Sequence, residues 1–219
     1  MRNKLARILA AIVAVLAATS SFGQPEFMTG TSLDAGVLNA DTVVIGKLVS
    51  FTTKDSFIEH ELVFAVEQTL KGRTQTTLTL KAFTTPITLE ELIARSRRLL
   101  ICINSTNEAE TRWVPIGDPK EAILTADFKI LPDAESVIRE AKRIIQANPG
   151  VNQIDTISAD PPRSIVDRIP QAKGYPFSLS VPVDSRVEKR AQEAIRQKDK
   201  PNGHYRAYEA IAALAHFKS

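Results

Sequence analysis

Three histidines, a single cysteine and two groups of arginine and lysine are the side chains of this chain whose types could do chemistry. His60 stands between Glu59 and Glu61, a trio that would hold a metal ion if the three converged. On a strand they do not converge, because successive side chains leave opposite faces. His204 and His216 lie twelve residues apart on one expected helix. Joint ligation at a separation of about three helical turns is out of reach. Zinc needs converging His, Cys or carboxylate ligands, so no metal site and no cofactor is expected. Cys102 lies within Leu99-Leu100-Ile101-Cys102-Ile103, the pattern of a buried strand. It reads as a small core hydrophobe and not as a nucleophile, and standing alone it can form no intrachain disulfide. Glu90 and Glu91 are adjacent on an expected helix and point apart, so they make no acid–base pair. No G-x-S-x-G elbow and no glycine-rich phosphate loop occurs. No catalytic residue is therefore assigned. Asn104-Ser105-Thr106 fits the N-x-[ST] acceptor pattern, which matters only in a glycosylating host.

The basic groups are the remaining candidates. Arg95, Arg97 and Arg98 form the sharpest cluster, just ahead of the apolar run from Leu99. They read first as a soluble lead-in to a strand and second as an anion contact. Arg186, Lys189 and Arg190 form a second group near the C-terminus. Both groups are partner-contact candidates.

Hydrophobic period supplies the elements that must position these side chains. Thr42 to Phe51 is a continuous β-branched strand, and Gly46 in its middle predicts a bulge or a tight bend. Phe57 to Leu70 is a second strand, with Ile58, Leu62, Phe64 and Val66 on one face and His60 between them. Thr76 to Phe83 is a third. Thr88-Leu89-Glu90-Glu91 matches a capping box and opens a short helix over 89–95. Leu99 to Ile103 is the fourth strand. Trp113 to Ile116 is a fifth, at an edge because of Pro115. Ala122 to Leu131 is a sixth, with Ile123, Phe128 and Ile130 as core. Val137, Ile138, Ala141, Ile144 and Ile145 then follow helical spacing over 133–147, until Asn148-Pro149-Gly150 stops the helix. The stretch 150–175 reads as a linker, followed by a strand over 177–181 that could pair with 153–157. A helical pair, 184–198 and 204–217, closes the chain around the Lys200-Pro201-Asn202-Gly203 turn.

The N-terminus sets the compartment. Arg2, Lys4 and Arg7 precede the unbroken apolar run Ile8 to Ala18, and small residues follow. That is the layout of a cleavable secretory signal over 1–23. An apolar run this short does not serve as a stable membrane anchor. The formal charge of +3 lies entirely in those three basic residues, which leaves 25 basic against 25 acidic side chains in the mature chain. A neutral body has no global field to steer a polyanion, so no nucleic acid is expected as partner. The charge is uneven: residues 24–150 hold 14 Lys/Arg against 17 Asp/Glu, and residues 184–219 hold 8 against 5. Residues 24–40 lack period and read as a flexible mature N-terminus.

Ala40-Asp41-Thr42-Val43-Val44-Ile45-Gly46, then Phe64-Ala65-Val66-Glu67-Gln68-Thr69-Leu70-Lys71-Gly72, then Leu78-Thr79-Leu80, resembles the netrin-like modules of exported proteins. The likeness spans roughly 40–131. It implies a five-stranded, mostly antiparallel OB-type barrel and an extracytoplasmic setting. Animal members inhibit metalloproteases through an N-terminal cysteine; the mature region here has none, so that mechanism does not carry over. Val181 to Ser219 looks like a HEAT-type helical pair. The expected fold class is α+β. A barrel with one closing helix spans 41–149, a linker with short strands 150–183, and a helical hairpin 184–219. The expected function is an exported, non-enzymatic binding module that contacts another extracytoplasmic protein. The alternatives are an enzyme with a site in the barrel mouth and a nucleic-acid-binding OB protein.

Overall fold

The computed structural model describes residues 30–54, 59–83, 86–106, 111–117, 123–169, 178–183 and 196. In chain order the elements begin with α1 (Leu33–Asn39), β1 (Thr42–Thr53), β2 (Glu59–Lys71), β3 (Thr77–Phe83) and α2 (Pro86–Ala94). They continue with β4 (Leu99–Ile103), β5 (Arg112–Pro115), β6 (Ile123–Leu124), β7 (Ile130–Leu131) and α3 (Ala134–Ala147). The last are β8 (Thr156–Ala159), α4 (Arg163–Val166) and β9 (Leu179–Pro182). The fold is α+β, and its strand pairings within the sheets are antiparallel. The chain divides into two compact units, one holding Thr42–Ile116 and the other Phe27–Asp41 with Gly117 onward.

The first unit is a five-stranded sheet in the order β3-β2-β1-β4-β5. Alternation puts Val44, Leu62, Phe64, Leu78, Leu99 and Ile101 on one face, where Leu89 and Leu92 of α2 and Trp113 of β5 join the same cluster. Val44, Leu62, Phe64 and Ile101 are fully buried, as their spacing predicts. Leu80 is only half-buried, because β3 has a neighbour on one side alone. No pairing closes β3 onto β5 among the described residues, so the sheet seen here is open where a barrel was expected. Pro115 lies on the edge strand, which suits a residue that donates no hydrogen bond.

Three register shifts bend the β1–β2 ribbon. Ile45 faces Gln68 while Gly46 faces Val66, so Glu67 is the extra residue of a bulge. Leu48 faces Phe64 while Ser50 faces Val63, which leaves Val49 as the extra residue of another. Val49 is the exposed large hydrophobic side chain of the sheet, at 49 %. The bulge expected at Gly46 is therefore present. The capping expectation at Thr88 is corrected. Pro86 opens α2, its fixed φ suiting the first helical position, so Thr88 lies inside the helix and is not its cap.

In the second unit, α1 replaces the flexible segment expected before residue 40. Ser32 caps it by accepting from the Ala35 N–H at 3.2 Å. Six of its seven residues are buried, so no exposed polar face exists to generate a period. Asp34 is among them, and its carboxylate accepts the Ala126 N–H at 2.7 Å.

The sixth strand expected over 122–131 is instead a hairpin, β6 paired with β7, and it belongs to the second unit. The chain reverses because Phe128 adopts φ 59° and Thr125 gathers the turn, accepting from the Phe128 and Lys129 N–H groups. Phe128 is buried as expected, whereas Ile130 is half-buried.

Helix α3 forms where the spacing predicts it. Asp133 accepts the Ser136 N–H at 2.7 Å, and Ser136 Oγ accepts the Asp133 N–H at 3.3 Å. Val137, Ile138, Ala141 and Ile144 are buried, and the Asn148 amide group donates to the Ile144 carbonyl at 2.8 Å as the helix ends. The helix falls in the second unit. The stretch read as a linker carries β8 and α4, and Ile169 beyond them is buried. Strand β9 pairs antiparallel with β8, and the two strands run one to three residues later than expected. The signal segment, Phe57 and Ile58 lie outside the described residues, as does the helical pair except Arg196, which is helical and exposed.

Candidate functional site

The arginine cluster sits on the corner between α2 and β4, and the helix end explains its shape. The Ser96 N–H bonds the Ile93 carbonyl at 3.0 Å, and the Arg97 N–H bonds the Leu92 carbonyl at 3.4 Å. Ser96 takes φ 47°. This is a Schellman ending, with Ser96 in the left-handed position that glycine usually fills. The missing glycine is why the corner is hard to see in Arg95-Ser96-Arg97-Arg98. Replacing Ser96 with glycine is expected to stabilise the protein by roughly 0.5–1 kcal/mol, the left-handed strain outweighing glycine's extra unfolded-state freedom. A rise in the thermal midpoint checks this, and a fall would contradict it.

The corner separates the arginines. Arg95 pairs with Glu91 one helical turn back, with both side chains more than half exposed. Arg98 turns the other way, toward the sheet, where its Nε donates to Glu67 Oε2 at 2.9 Å. Lys47 Nζ meets the other oxygen, Oε1, of the same carboxylate at 2.9 Å. Glu67 is thus held between an ammonium and a guanidinium. The Lys47 hydrogen bond, chiefly, holds its carboxyl below the ordinary value, with partial burial opposing and the Lys47 and Arg98 charges assisting. This pairing supports the fold above the ordinary carboxylate range and is lost as pH falls through the lowered pKa. Arg97 spends its backbone N–H on the helix end. Arg186, Lys189 and Arg190 lie outside the described residues.

Lys47 and Glu67 were not singled out by the sequence. Lys47 is one of three lysines in the described strands, and the position of Glu67 depends on a bulge in its own strand opposite Gly46. The available signal was Gly46, whose place in a β-branched strand predicted that bulge.

The other chemistry-bearing residues serve the fold. His60 is fully buried, with Nδ1 3.2 Å from Thr53 Oγ1 and its ring edge-on to Phe51 at 5.3 Å between centroids. It shares the core face of β2 with Leu62 and Phe64, while Glu59 and Glu61 flank it half-exposed. Among the described residues no group of three His, Cys, Asp or Glu side chains could hold a metal ion. Asn104 is buried and accepts from the Thr106 N–H at 3.1 Å and its hydroxyl at 2.7 Å, so the acceptor-like triplet closes a local turn.

Cys102 is buried in β4, and desolvation pushes its thiol up to about 12, the Lys71 charge pulling only weakly back. A thiol so held carries almost no thiolate at neutral pH. Native protein is expected to resist a thiol reagent over the time in which urea-unfolded protein reacts fully. Fast labelling without unfolding would overturn the buried assignment. No described helix is long and apolar enough to cross a membrane. Compared with family models, curated proteins and solved structures, the chain matches none.

Proposed function

We propose that this chain is an exported, non-enzymatic binding module on an OB-type, netrin-like scaffold, and that it contacts another extracytoplasmic protein. The observation that carries the reading is the strand order. β1, β2 and β3 form a meander, α2 follows β3, β4 returns beside β1, and β5 lies outside β4. Rolled up until β3 meets β5, that order gives the five-stranded Greek-key barrel of OB-type folds. The secretory layout of residues 1–23 supports export. A HEAT-like pair over 184–217 would add a second contact surface with Arg186, Lys189 and Arg190. The corner bearing Arg95, Arg97 and Arg98 offers the first, since guanidinium groups suit carboxylates on a protein partner.

The test is capture of a partner from the extracytoplasmic fraction by immobilised mature protein. One protein should be retained, released by salt, and lost with the Arg95→Glu, Arg97→Glu, Arg98→Glu triple variant. Retention of single-stranded nucleic acid instead would favour the rival OB reading, and capture unaffected by the triple variant would remove the corner from the site. Export has its own check. N-terminal sequencing from the expressing cell is expected to start between Ser21 and Pro25, and Met1 on folded material would refute it.

A further inference from the structure

We propose that Lys47 and Arg98 form a two-cation cradle for a carboxylate of an acidic protein partner, and that Glu67 occupies it from within the chain. The inference rests on the binding-module reading and names the chemistry of its contact. Three observations carry it. The two cations grip different oxygens of one carboxylate, Lys47 at Oε1 and Arg98 at Oε2, both at 2.9 Å. The three side chains come from β1, β2 and the lead into β4, so the cradle is built by strand pairing and not by one flexible segment. Glu67 is itself the extra residue of the bulge opposite Gly46. Bulges re-aim a side chain and recur next to functional sites.

The cradle can be reached from solvent. The side chains of Lys47, Glu67 and Arg98 are 39 %, 33 % and 33 % exposed. An incoming carboxylate can therefore replace Glu67 without unfolding the sheet, and the guanidinium and ammonium keep a counter-ion throughout. Glu67 then sets a threshold, since a partner must bind better than the internal carboxylate. Glu61 supplies the contrast. It lies on the same strand and pairs with a single cation, Lys54, at 3.3 Å.

The experiment measures binding of fluorescein-labelled hexaglutamate to the mature protein by anisotropy at neutral pH. Glu67→Gln is expected to tighten binding about fivefold, the scale of one freed charge-assisted contact. Glu61→Gln removes the same charge from a one-cation pair and should change binding less than about twofold, as an exposed pair would. Adding Arg98→Met to Glu67→Gln should abolish the gain. Equal gains from Glu67→Gln and Glu61→Gln would reduce the effect to overall charge and overturn the cradle. No gain in folded Glu67→Gln overturns it too. Should Glu67→Gln not fold, Glu67→Ser carries the same expectation. Inorganic phosphate competing as well as the peptide would make this a general anion site and overturn the acidic-protein assignment. A failed partner capture beside a positive peptide result would sink the binding-module reading alone.

Discussion

Phe64→Ala is expected to lower the unfolding free energy by about 3–5 kcal/mol, the range for truncating a buried aromatic. Phe64 is fully buried in β2, facing Leu48 of β1 and Leu78 of β3 in register. Both neighbours sit in the same cluster, so the side chain fills the centre of a three-strand layer. Its removal loses the transfer free energy of the ring and leaves a cavity that paired strands can close only in part. The bulge at Val49 lies beside it, and strand slippage there is the available route to collapse. Full relaxation along that route would bring the cost toward the low end. Trp113 is the chain's single tryptophan and packs in the same cluster, so its fluorescence reports on this core. With a urea slope of about 1–3 kcal/mol per molar, the midpoint followed at Trp113 should fall by roughly 2 M. An unchanged midpoint would mean that Phe64 does not hold the sheet together.

An element is legible in the residues where burial imposes a pattern on them. Strands β2 and β3 and helix α3 were legible because one apolar face of each must be buried, and β1, β4 and β5 because they carry continuous apolar runs that are buried on both faces. Val44, Leu62, Phe64 and Ile101, and Val137, Ile138, Ala141 and Ile144, are buried accordingly. Helix α1 was not legible, because a helix of seven residues buried nearly all round shows neither an apolar stripe nor a polar face. The hairpin at 123–131 was missed because its turn holds Phe128 at φ 59°, a conformation that no glycine announces. Ser96 hid the end of α2 in the same way. The candidate site was half legible. Arg98 stood out as part of a cluster, but Lys47 and Glu67 meet it only through strand register, which a one-residue bulge resets.

Gly46 is where local propensity and packing disagree, and magnitude decides between them. Alanine in place of glycine within a strand ordinarily gains about 0.5–1 kcal/mol by restricting the unfolded chain. At this position a Cβ would lie 2.6 Å from the Ala65 carbonyl oxygen and 3.4 Å from its carbon. The obstacle is backbone in the partner strand, not the movable end of a side chain. Relief therefore requires β1 and β2 to separate at the bulge that holds Glu67. Overpacking of that kind costs typically 1–3 kcal/mol and sometimes more, so Gly46→Ala is expected to be net destabilising by about 2 kcal/mol. The effect should reach beyond stability. Moving the strands apart shifts Lys47, the next residue, relative to Glu67 and loosens the grip on its carboxylate. A lower urea midpoint together with tighter hexaglutamate binding is the expected pair of results. A stabilised Gly46→Ala would show that the ribbon accommodates a methyl group there, and that close approach of the two strands is not what this glycine provides.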